Sequence, residues 1–521
     1  MSVPTQEELT VLAPDEEEER PGKTLEEFIG LGRYAVVAFS ASFLIILSTV
    51  MVIVFMVYAG ATPTVIGCGG EKFPVDQIEA CQRYHEIKRK NESICEPVLE
   101  YQFESVNVEY HYLCDDAIKV KSSTTWQMAA ILVGALTFGQ LSDMYGRRMV
   151  MLVALAGICI GNAFVAHATS FAWFYTSRLA VGFFAGGTSA VHAVYIVEHA
   201  RKDHRMLICN VVTWSPNFAI APLIAYYAHD WRTLSLVSAI INVISFIALF
   251  LCSESPRFLI QKGRIDEARS VLARIRSING DSCEIRNGEV EKMMKNETLK
   301  YEASEDQRHY TYFDLLTSKQ LLVYTLVLGF GISVTSLQNY GIIFNTEKLS
   351  GSLFLNGAFF GIIRWIVNLL IGYLDYKCAA VTRKRVTTIS KTINLICLAA
   401  IIVVFMLGLD QTYAWVVRVA AITVLVFCGP IFTSKFLCAS ELYPTSVRNV
   451  GNSFQSMSAR VGTIFGTTLF ILTEKHKSMP YWILAIFLFV DIFLYHFLIP
   501  ETKGSDLKDE MPPRKQTISR A

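Results

Sequence analysis

The segment GQLSDMYGRR at residues 139–148 determines how the rest of the chain is interpreted. It places an acid and two arginines between two apolar runs, near 124–143 and 149–168. A run of roughly 20 apolar residues crosses the ~30 Å of hydrocarbon in a bilayer. Charged residues are only 18% of the 521 residues and collect in a few blocks, whereas 52% are hydrophobic. This distribution predicts a membrane protein, and the net charge of +1 gives no attraction for nucleic acid.

Ten further apolar runs lie outside this segment, so we predict twelve transmembrane helices in an all-α polytopic protein. The predicted spans are 33–58, 124–143, 149–168, 173–197, 207–228, 232–253, 321–345, 351–375, 386–408, 413–440, 449–472 and 479–499. We predict a cytoplasmic tail at 1–32, a six-helix bundle at 33–253 with an outer loop at about 59–123, a cytoplasmic linker at 254–320, a second six-helix bundle at 321–499 and a cytoplasmic tail at 500–521.

Charged signatures recur in the same order in the two predicted halves. The acid of segment 139–148 is matched, more weakly, by Asp375 after the eighth span. Glu198 and Glu441 end the fourth and tenth spans, each with an arginine seven residues later. Glu254 and Glu501 follow the sixth and twelfth spans. This order predicts two homologous six-helix halves, as in transporters that rock around a central site.

We interpret these charges as a cytoplasmic latch, whose acids and bases pair when that face is closed and separate when it opens. The alternative is that the basic residues only set the topology, but topology does not require the acids. The predicted latch residues are Asp143, Arg147, Arg148, Glu198, Arg205, Glu254, Arg257, Asp375, Glu441, Arg448 and Glu501.

Lysines and arginines near the span ends predict the orientation. They concentrate in the loops after the second, fourth and eighth spans, which places these loops and both termini in the cytoplasm. The loop after the first span then lies outside and carries a glycosylation sequon at Asn91. Its four cysteines allow three pairings into two disulfides, and they are Cys68, Cys81, Cys95 and Cys114. These features predict a plasma-membrane protein.

With these motifs in place, the chain resembles the major facilitator superfamily and, more closely, the organic ion transporters of solute carrier family 22. Besides segment 139–148, the resemblance is carried by RLAVGFFAGG at 178–187, DWR at 230–232, ESPRFL at 254–259, ELYPTSVRN at 441–449 and PETKG at 500–504. It extends from about Glu26 to Lys508 and implies a transport unit that is monomeric. The chain departs from the family in lacking a Gly-Arg-Arg ending between the eighth and ninth spans, and in having Ser253 where a proline often stands.

Two arginines lie near the middle of predicted spans, Arg364 in the eighth and Arg460 in the eleventh. A charge at that depth costs about 2.5–3.5 kcal/mol on insertion scales, so it should face a cavity or a partner. The acids lie at span ends except for Asp491, whose helix the resemblance places outside the cavity. Lys435 in the tenth span adds a third cation and a candidate for substrate binding. It lies about two turns from the predicted cytoplasmic end, so the alternative is a structural role in which its side chain reaches the interface.

Unbalanced cations in a cavity attract an anion, and arginine offers a planar fork of donors for carboxylate, sulfate or phosphate groups. The resemblance implies that cation carriers of the family have acids at the positions of Arg364 and Arg460, whereas anion or zwitterion carriers have arginine at the latter. The alternative is that these arginines pair with backbone carbonyls or phenolic oxygens. Further candidates for substrate binding, each with packing as the alternative, are Trp214, Asn217, Gln338, Asn339 and Tyr340.

We therefore predict an alternating-access transporter of small organic anions, bound near the bilayer midplane between the two bundles. The alternatives are a carrier of carnitine-like zwitterions or organic cations, and a non-transporting member that senses a ligand or binds partners. An enzyme activity, a cofactor and a metal centre are not predicted. The chain has no phosphate-binding glycine loop with lysine, and its cysteines lack metal-site spacing.

Overall fold

The computed structural model describes residues 32–68, 71–73, 77–90, 96–199, 214–280, 315, 318–378, 381–444, 447–472 and 476–503. Its long helices are α1 (Arg33–Ala59), α2 (Ala117–Tyr145), α3 (Arg147–Ala166), α4 (Phe171–Glu198), α5 (Trp214–Ala228), α6 (Trp231–Leu251), α7 (Lys319–Ile343), α8 (Leu353–Lys377), α9 (Arg383–Met406), α10 (Ala414–Leu442), α11 (Arg448–Leu472) and α12 (Met479–Leu498).

Each of the twelve predicted spans coincides with one of these helices, which confirms the all-α polytopic architecture. Within the described residues, nine helices are long and apolar enough to cross a membrane by length and composition. The helices outside that set are α2, α5 and α11, and for α5 the described part is 15 residues long. Helix α2 begins at Ala117, earlier than the predicted span. Its first turns carry Lys119 and Lys121, and these charges excluded the first turns from the apolar run that predicted the span.

The two halves pack their helices in the same way. In the first half α4 packs against α1, α2 and α3, and α6 packs against α1 and α3. In the second half α10 packs against α7, α8 and α9, and α12 packs against α7 and α9. Helix α1 also contacts α5, as α7 contacts α11. The same contacts at the same positions are what a duplicated six-helix unit produces.

The halves meet where α2 packs against α11 and α5 packs against α8. Helix α8 lies close to α5 because Gly361 has no side chain, and a Cβ atom there would clash with the α5 backbone. At the outer end, Lys121 of α2 forms a 2.6 Å ion pair with Glu347. The Tyr58 ring stacks on Phe354 with 5.6 Å between centroids. These contacts between halves run from the outer ends of the helices to their middle.

The outer loop contains a small antiparallel sheet with strand order β2-β1-β3. Its strands are β1 (Thr64–Cys68), β2 (Glu71–Lys72) and β3 (Pro97–Glu100), and a helix at Gln77–Lys90 packs on it. Cys81 and Cys114 form a disulfide, and Cys68 is also disulfide-bonded. Cys95 and the sequon residue Asn91 lie outside the described residues, so their roles stay predictions.

Glu109 fastens this outer loop to the first half. It ends a short helix, Val106–Glu109, whose N-cap is the Ser105 side chain. The Glu109 carboxylate accepts a 2.7 Å hydrogen bond from the Trp231 indole and forms a 2.5 Å ion pair with Arg232. The motif DWR at 230–232 therefore holds the loop against the start of α6.

Candidate substrate site and charge clusters

Arg364 lies at the middle of α8 and is buried, with 7% of its surface exposed. Its Nη1 donates a 3.0 Å hydrogen bond to Asn339 Oδ1 on α7. The rings of Phe218 and Phe360 lie 5.8 and 5.6 Å from the guanidinium carbon. Among the described residues, no carboxylate pairs with Arg364 and its Nε has no hydrogen-bond partner. The guanidinium therefore has no described counter-charge, and it has a spare donor beside two aromatic rings.

Arg460 lies at the middle of α11 and faces the other half of the molecule. Its Nη2 donates a 3.2 Å hydrogen bond to Ser189 Oγ on α4. Within the described part of the chain, no acid forms an ion pair with Arg460. Ser189 is neutral, so this second arginine, which is half-buried, also has no charge partner there.

Two of the predicted aromatic residues meet in one cluster formed by both halves. Trp214 of α5 and Tyr340 of α7 pack against Ile53, Met128 and Ile131 of α1 and α2. The ring of Tyr340 also stacks on Phe344, with 6.2 Å between centroids. Such a surface packs against the apolar body of a small ligand.

The predicted amides have different surroundings. Asn339 is the hydrogen-bond acceptor of Arg364. Gln338 is fully buried, and neither its amide oxygen nor its nitrogen has a hydrogen-bond partner among the described residues. Asn217 is also fully buried on α5 and lies next to Phe218, which contacts Arg364.

Several residues around Arg364 were not predicted. Phe360 and Asn368 stand four residues before and after Arg364 on α8, so all three share one helix face. Asn368 donates a 3.2 Å hydrogen bond to Ser215 Oγ on α5. Helical spacing from Arg364 could have identified Phe360 and Asn368. Phe218, Ser215 and Ser189 come from other helices and gave no such signal.

Lys435 is not a lone cation of the substrate cavity, because an acid of α12 pairs with it. Its Nζ lies 3.0 Å from Asp491 Oδ2, and both side chains are fully buried. Lys391 of α9, which was not predicted as a site residue, lies 2.9 Å from the same oxygen. Asp491 was not expected to be a partner because the resemblance places its helix outside the cavity, but its carboxylate contacts lysines of α9 and α10.

The charged ends of the first half form one cluster around Arg147. Its Nη1 lies 2.6 Å from Asp143 and its Nε lies 3.4 Å from Glu198. The Glu254 carboxylate accepts hydrogen bonds of 3.0–3.1 Å from the backbone N–H groups of Arg147 and Arg148. Glu254, which follows α6 in the sequence, therefore lies at the N-terminus of α3, where the helix dipole favours a negative charge.

The second half repeats this cluster around Arg383. Its Nη1 lies 2.6 Å from Asp375 and its Nε lies 3.7 Å from Glu441. The Glu501 carboxylate accepts hydrogen bonds of 3.1 and 3.2 Å from the backbone N–H groups of Arg383 and Lys384. Burial opposes ionisation, but hydrogen bonds from Thr382 and three backbone N–H groups outweigh it and lower the pKa of Glu501.

The interpretation of these charges as a latch that pairs when their face is closed stays a prediction, because the described contacts between halves lie at the opposite side. Each of the ion pairs above joins two residues of the same half, and the described contacts between halves lie toward the outer side. The pairs therefore fasten helix ends within a half. Arg257 lies in a short helix at Pro256–Gln261 and Arg448 begins α11, while Arg205 lies outside the described residues.

Comparison with solved structures shows which fold the chain has. The inward open xylose transporter XylE from E. coli matches 90% of this chain and 98% of its own, with a TM-score of 0.61 and 16% identity. XylE bound to 6-bromo-6-deoxy-D-glucose, described as a major facilitator superfamily proton:xylose symporter, gives a TM-score of 0.59 at 16% identity over 91% and 97% of the two chains. The fold is that of the major facilitator superfamily.

Sequence comparison then defines the family. The family model "Sugar (and other) transporter" matches residues 85–511, so the chain belongs to the sugar (and other) transporter family. A solute carrier family 22 member 15-like protein of Xenopus tropicalis is 29% identical over 430 residues, which are 80% of this chain and 84% of the relative. Solute carrier family 22 member 6 of Danio rerio is 27% identical over 78% of this chain and 71% of its own.

These relatives confirm the resemblance to solute carrier family 22, a family of transporters rather than enzymes. A Drosophila melanogaster protein named organic cation transporter protein is also 27% identical, over 78% of this chain and 73% of its own. The names of these relatives do not indicate one charge for the substrate of this chain.

Proposed function

We propose that this transporter carries small organic anions by alternating access, and that the anion binds between the two halves. One observation carries the proposal: Arg364 and Arg460 lie at the middle of their helices without a carboxylate partner among the described residues. Burying a charge without a counter-charge is strongly unfavourable. A bound anion would supply the missing negative charge.

The neighbours of Arg364 suit an anion with an aromatic or apolar body. Phe218 and Phe360 flank the guanidinium. Trp214 and Tyr340 add apolar surface from both halves. Carboxylate or sulfonate oxygens can accept from the arginine donors while a ring packs on these side chains.

Alternating access requires that the halves part on one side at a time. The described contacts between halves, such as Lys121 with Glu347 and Tyr58 with Phe354, lie at the outer ends. They support an arrangement closed to the outside, in which the substrate site exchanges with the cytoplasm. Breaking these contacts is then part of opening to the outside.

We also propose that both termini are cytoplasmic and that the protein resides in the plasma membrane. The disulfide between Cys81 and Cys114 supports an extracytoplasmic location of the outer loop, because disulfides persist in oxidising compartments. In cells, the protein should lose mass on endoglycosidase treatment, and Asn91→Gln should abolish that loss. A protein of unchanged mass would contradict glycosylation of the loop.

The substrate class is tested by uptake into proteoliposomes with a labelled aromatic carboxylate, a quaternary ammonium ion and a carnitine-like zwitterion. Arg460→Ala should lower anion uptake roughly 10–100-fold, since a charge-assisted hydrogen bond contributes about 1.5–3 kcal/mol. Arg364→Glu should shift preference toward cations. Arg83→Ala, at an exposed arginine of the outer loop, is the matched control and should leave uptake unchanged.

Unchanged anion uptake in both arginine variants would remove these residues from the site. Preferred uptake of the ammonium ion or the zwitterion would replace the anion proposal. Binding without flux of any solute would favour a ligand sensor.

A further inference from the structure

A cluster of three charges lies inside the second half, away from the arginines of the substrate site. Lys391 on α9 and Lys435 on α10 both contact one oxygen of Asp491 on α12, at 2.9 and 3.0 Å. All three side chains are fully buried. We call Lys391, Lys435 and Asp491 the lysine–aspartate triad.

The groups facing the triad come from three helices, α7, α10 and α12. Helix α7 contributes the Thr335 hydroxyl, 3.4 Å from Lys435 Nζ. Helix α10 adds the Cys428 thiol, and α12 adds Tyr495, whose ring centroid is 4.1 Å from Lys391 Nζ. Among the described residues no second acid faces the two lysines. Two ammonium groups and one carboxylate therefore leave one positive charge without a partner.

An uncompensated buried charge is costly, and a lysine can remove it by releasing one proton. The triad then has two states that differ by a single proton. In one state both lysines are ammonium groups. In the other state one is a neutral amine that accepts from its ammonium neighbour or lies against the carboxylate. The proton passes between a lysine nitrogen and water, with no oxidation or reduction.

The first half shows that the fold does not require this triad. Lys391 stands eight residues after Arg383, and eight residues after Arg147 stands Leu155. Lys435 stands six residues before Glu441, and six residues before Glu198 stands His192. The first half thus builds the same helix packing with a leucine and a histidine at the positions of the two lysines.

Helix α10 connects the triad to the candidate substrate site. Gly429 packs against the Arg364 guanidinium. Lys435 is six residues further along the same helix, which is about 9 Å at 1.5 Å per residue. Two unit charges about 10 Å apart in a medium of effective dielectric ~20 shift each other's binding equilibrium by about tenfold. An anion at Arg364 therefore favours the state of the triad that holds the extra proton.

We propose that Lys391, Lys435 and Asp491 form a proton-binding site that gains one proton when an anion binds at Arg364 and loses it when the anion leaves. The carrier would then move one proton together with each anion. The coupling rests on the proposed anion function, whereas proton binding by the triad does not. The two parts are therefore tested separately.

The first test needs no substrate. Thermal unfolding of the purified protein is compared with that of Lys391→Met from about pH 6 to about pH 9. Lys391→Met should fold, because it leaves Lys435 and Asp491 as a balanced pair. If the triad exchanges a proton in this range, the difference in Tm between the two proteins changes with pH. Lys477→Met, at an exposed ion pair with Asp410, is the control, and its difference should stay constant. A constant difference for Lys391→Met would overturn the proton site.

The second test measures coupling with benzenesulfonate, whose charge does not change over this pH range. Proteoliposomes containing a pH-sensitive dye should acidify inside as labelled benzenesulfonate enters. Lys391→Met should retain uptake, but it should lose the acidification and the acceleration by an inward proton gradient. Uptake by the wild type without acidification would overturn the coupling and leave the anion function standing. No benzenesulfonate uptake, together with a pH-dependent Tm difference, would overturn the coupling and count against the proposed anion function, while the proton site would stand.

Discussion

The two halves of the molecule have the same helix packing and equivalent charge clusters around Arg147 and Arg383, but they bury different charges. The first half buries Arg178, whose Nη2 donates to Val52 O at 2.7 Å and to Gln127 Oε1 at 2.8 Å. The ring of Phe55 lies 4.3 Å away. Neutral oxygens thus accept hydrogen bonds from this charged group, whereas in the second half Asp491 forms ion pairs with two lysines.

The difference shows that the repeat constrains packing and helix ends more tightly than it constrains buried charge. Arg147 and Arg383 have equivalent partners in every contact described above. The buried charges have no such equivalence between halves. Specialised chemistry is therefore expected in the second half, which carries Arg364, Arg460 and the triad, while the first half contributes the surface that faces them.

The largest effect is expected from Asp491→Asn. It leaves two buried lysines without an acid, which should lower the free energy of unfolding by about 3–5 kcal/mol. Thermal unfolding in detergent measures the loss. Asp410→Asn, at a partly exposed ion pair, is the control and should shift Tm little. Equal shifts for the two variants would mean that the triad carries no special charge balance.

A smaller effect is expected from Arg178→Lys in the first half. Lysine keeps the charge but cannot contact Val52 O and Gln127 together as the guanidinium does. The expected loss is about 1–3 kcal/mol of unfolding free energy. The same unfolding assay checks it, with Arg83→Lys on the outer loop as the control. A stability equal to wild type would show that the packing of the first half does not depend on this network.

The equivalence of the clusters around Arg147 and Arg383 is tested by Glu254→Gln and Glu501→Gln. Each carboxylate caps the start of a helix, α3 or α9, so each substitution should cost about 1 kcal/mol. The sign of the pH effect follows from the lowered pKa of Glu501. Its contribution is present above the pKa of the unfolded carboxyl and is lost as pH falls through the lower folded pKa. The Tm difference between wild type and Glu501→Gln should therefore shrink in acid, and a difference that grows there would contradict the assigned hydrogen bonds.

The smallest effect is expected at the contact between the halves. Lys121→Met removes the ion pair with Glu347, and such a partly exposed pair contributes about 0.2–1 kcal/mol. Outward opening should become a few-fold more frequent. The opening is measured by labelling a cysteine introduced at Thr467, which lies beside Thr125 of the other half. A cysteine introduced at Ser122 of α2 is the control, and its labelling should not change. Unchanged labelling at Thr467 would place the closing contacts elsewhere.

Much of the architecture could be predicted from the sequence because it depends on local features of the chain. Run length and charge position predicted every span, and the order of Glu198, Glu254, Glu441 and Glu501 predicted the repeat. Arg364 was predicted because an arginine in an apolar run is conspicuous without knowledge of its neighbours. The contact partners of these residues could not be predicted in this way. Phe218 and Ser189 contact the two arginines from other helices, and nothing in their local sequence marks them.

The sequence by itself thus determined the number of helices, the duplication and the presence of buried cations, since hydrocarbon thickness and charge cost act on each segment separately. Only the tertiary structure decided which cations are balanced. Lys435 and Asp491 are 56 residues apart and meet because of how α10 and α12 are rotated against α9. It also placed the ion pairs of Arg147 and Arg383 within their own halves, because charges on different helices pair only where helix packing brings the side chains together.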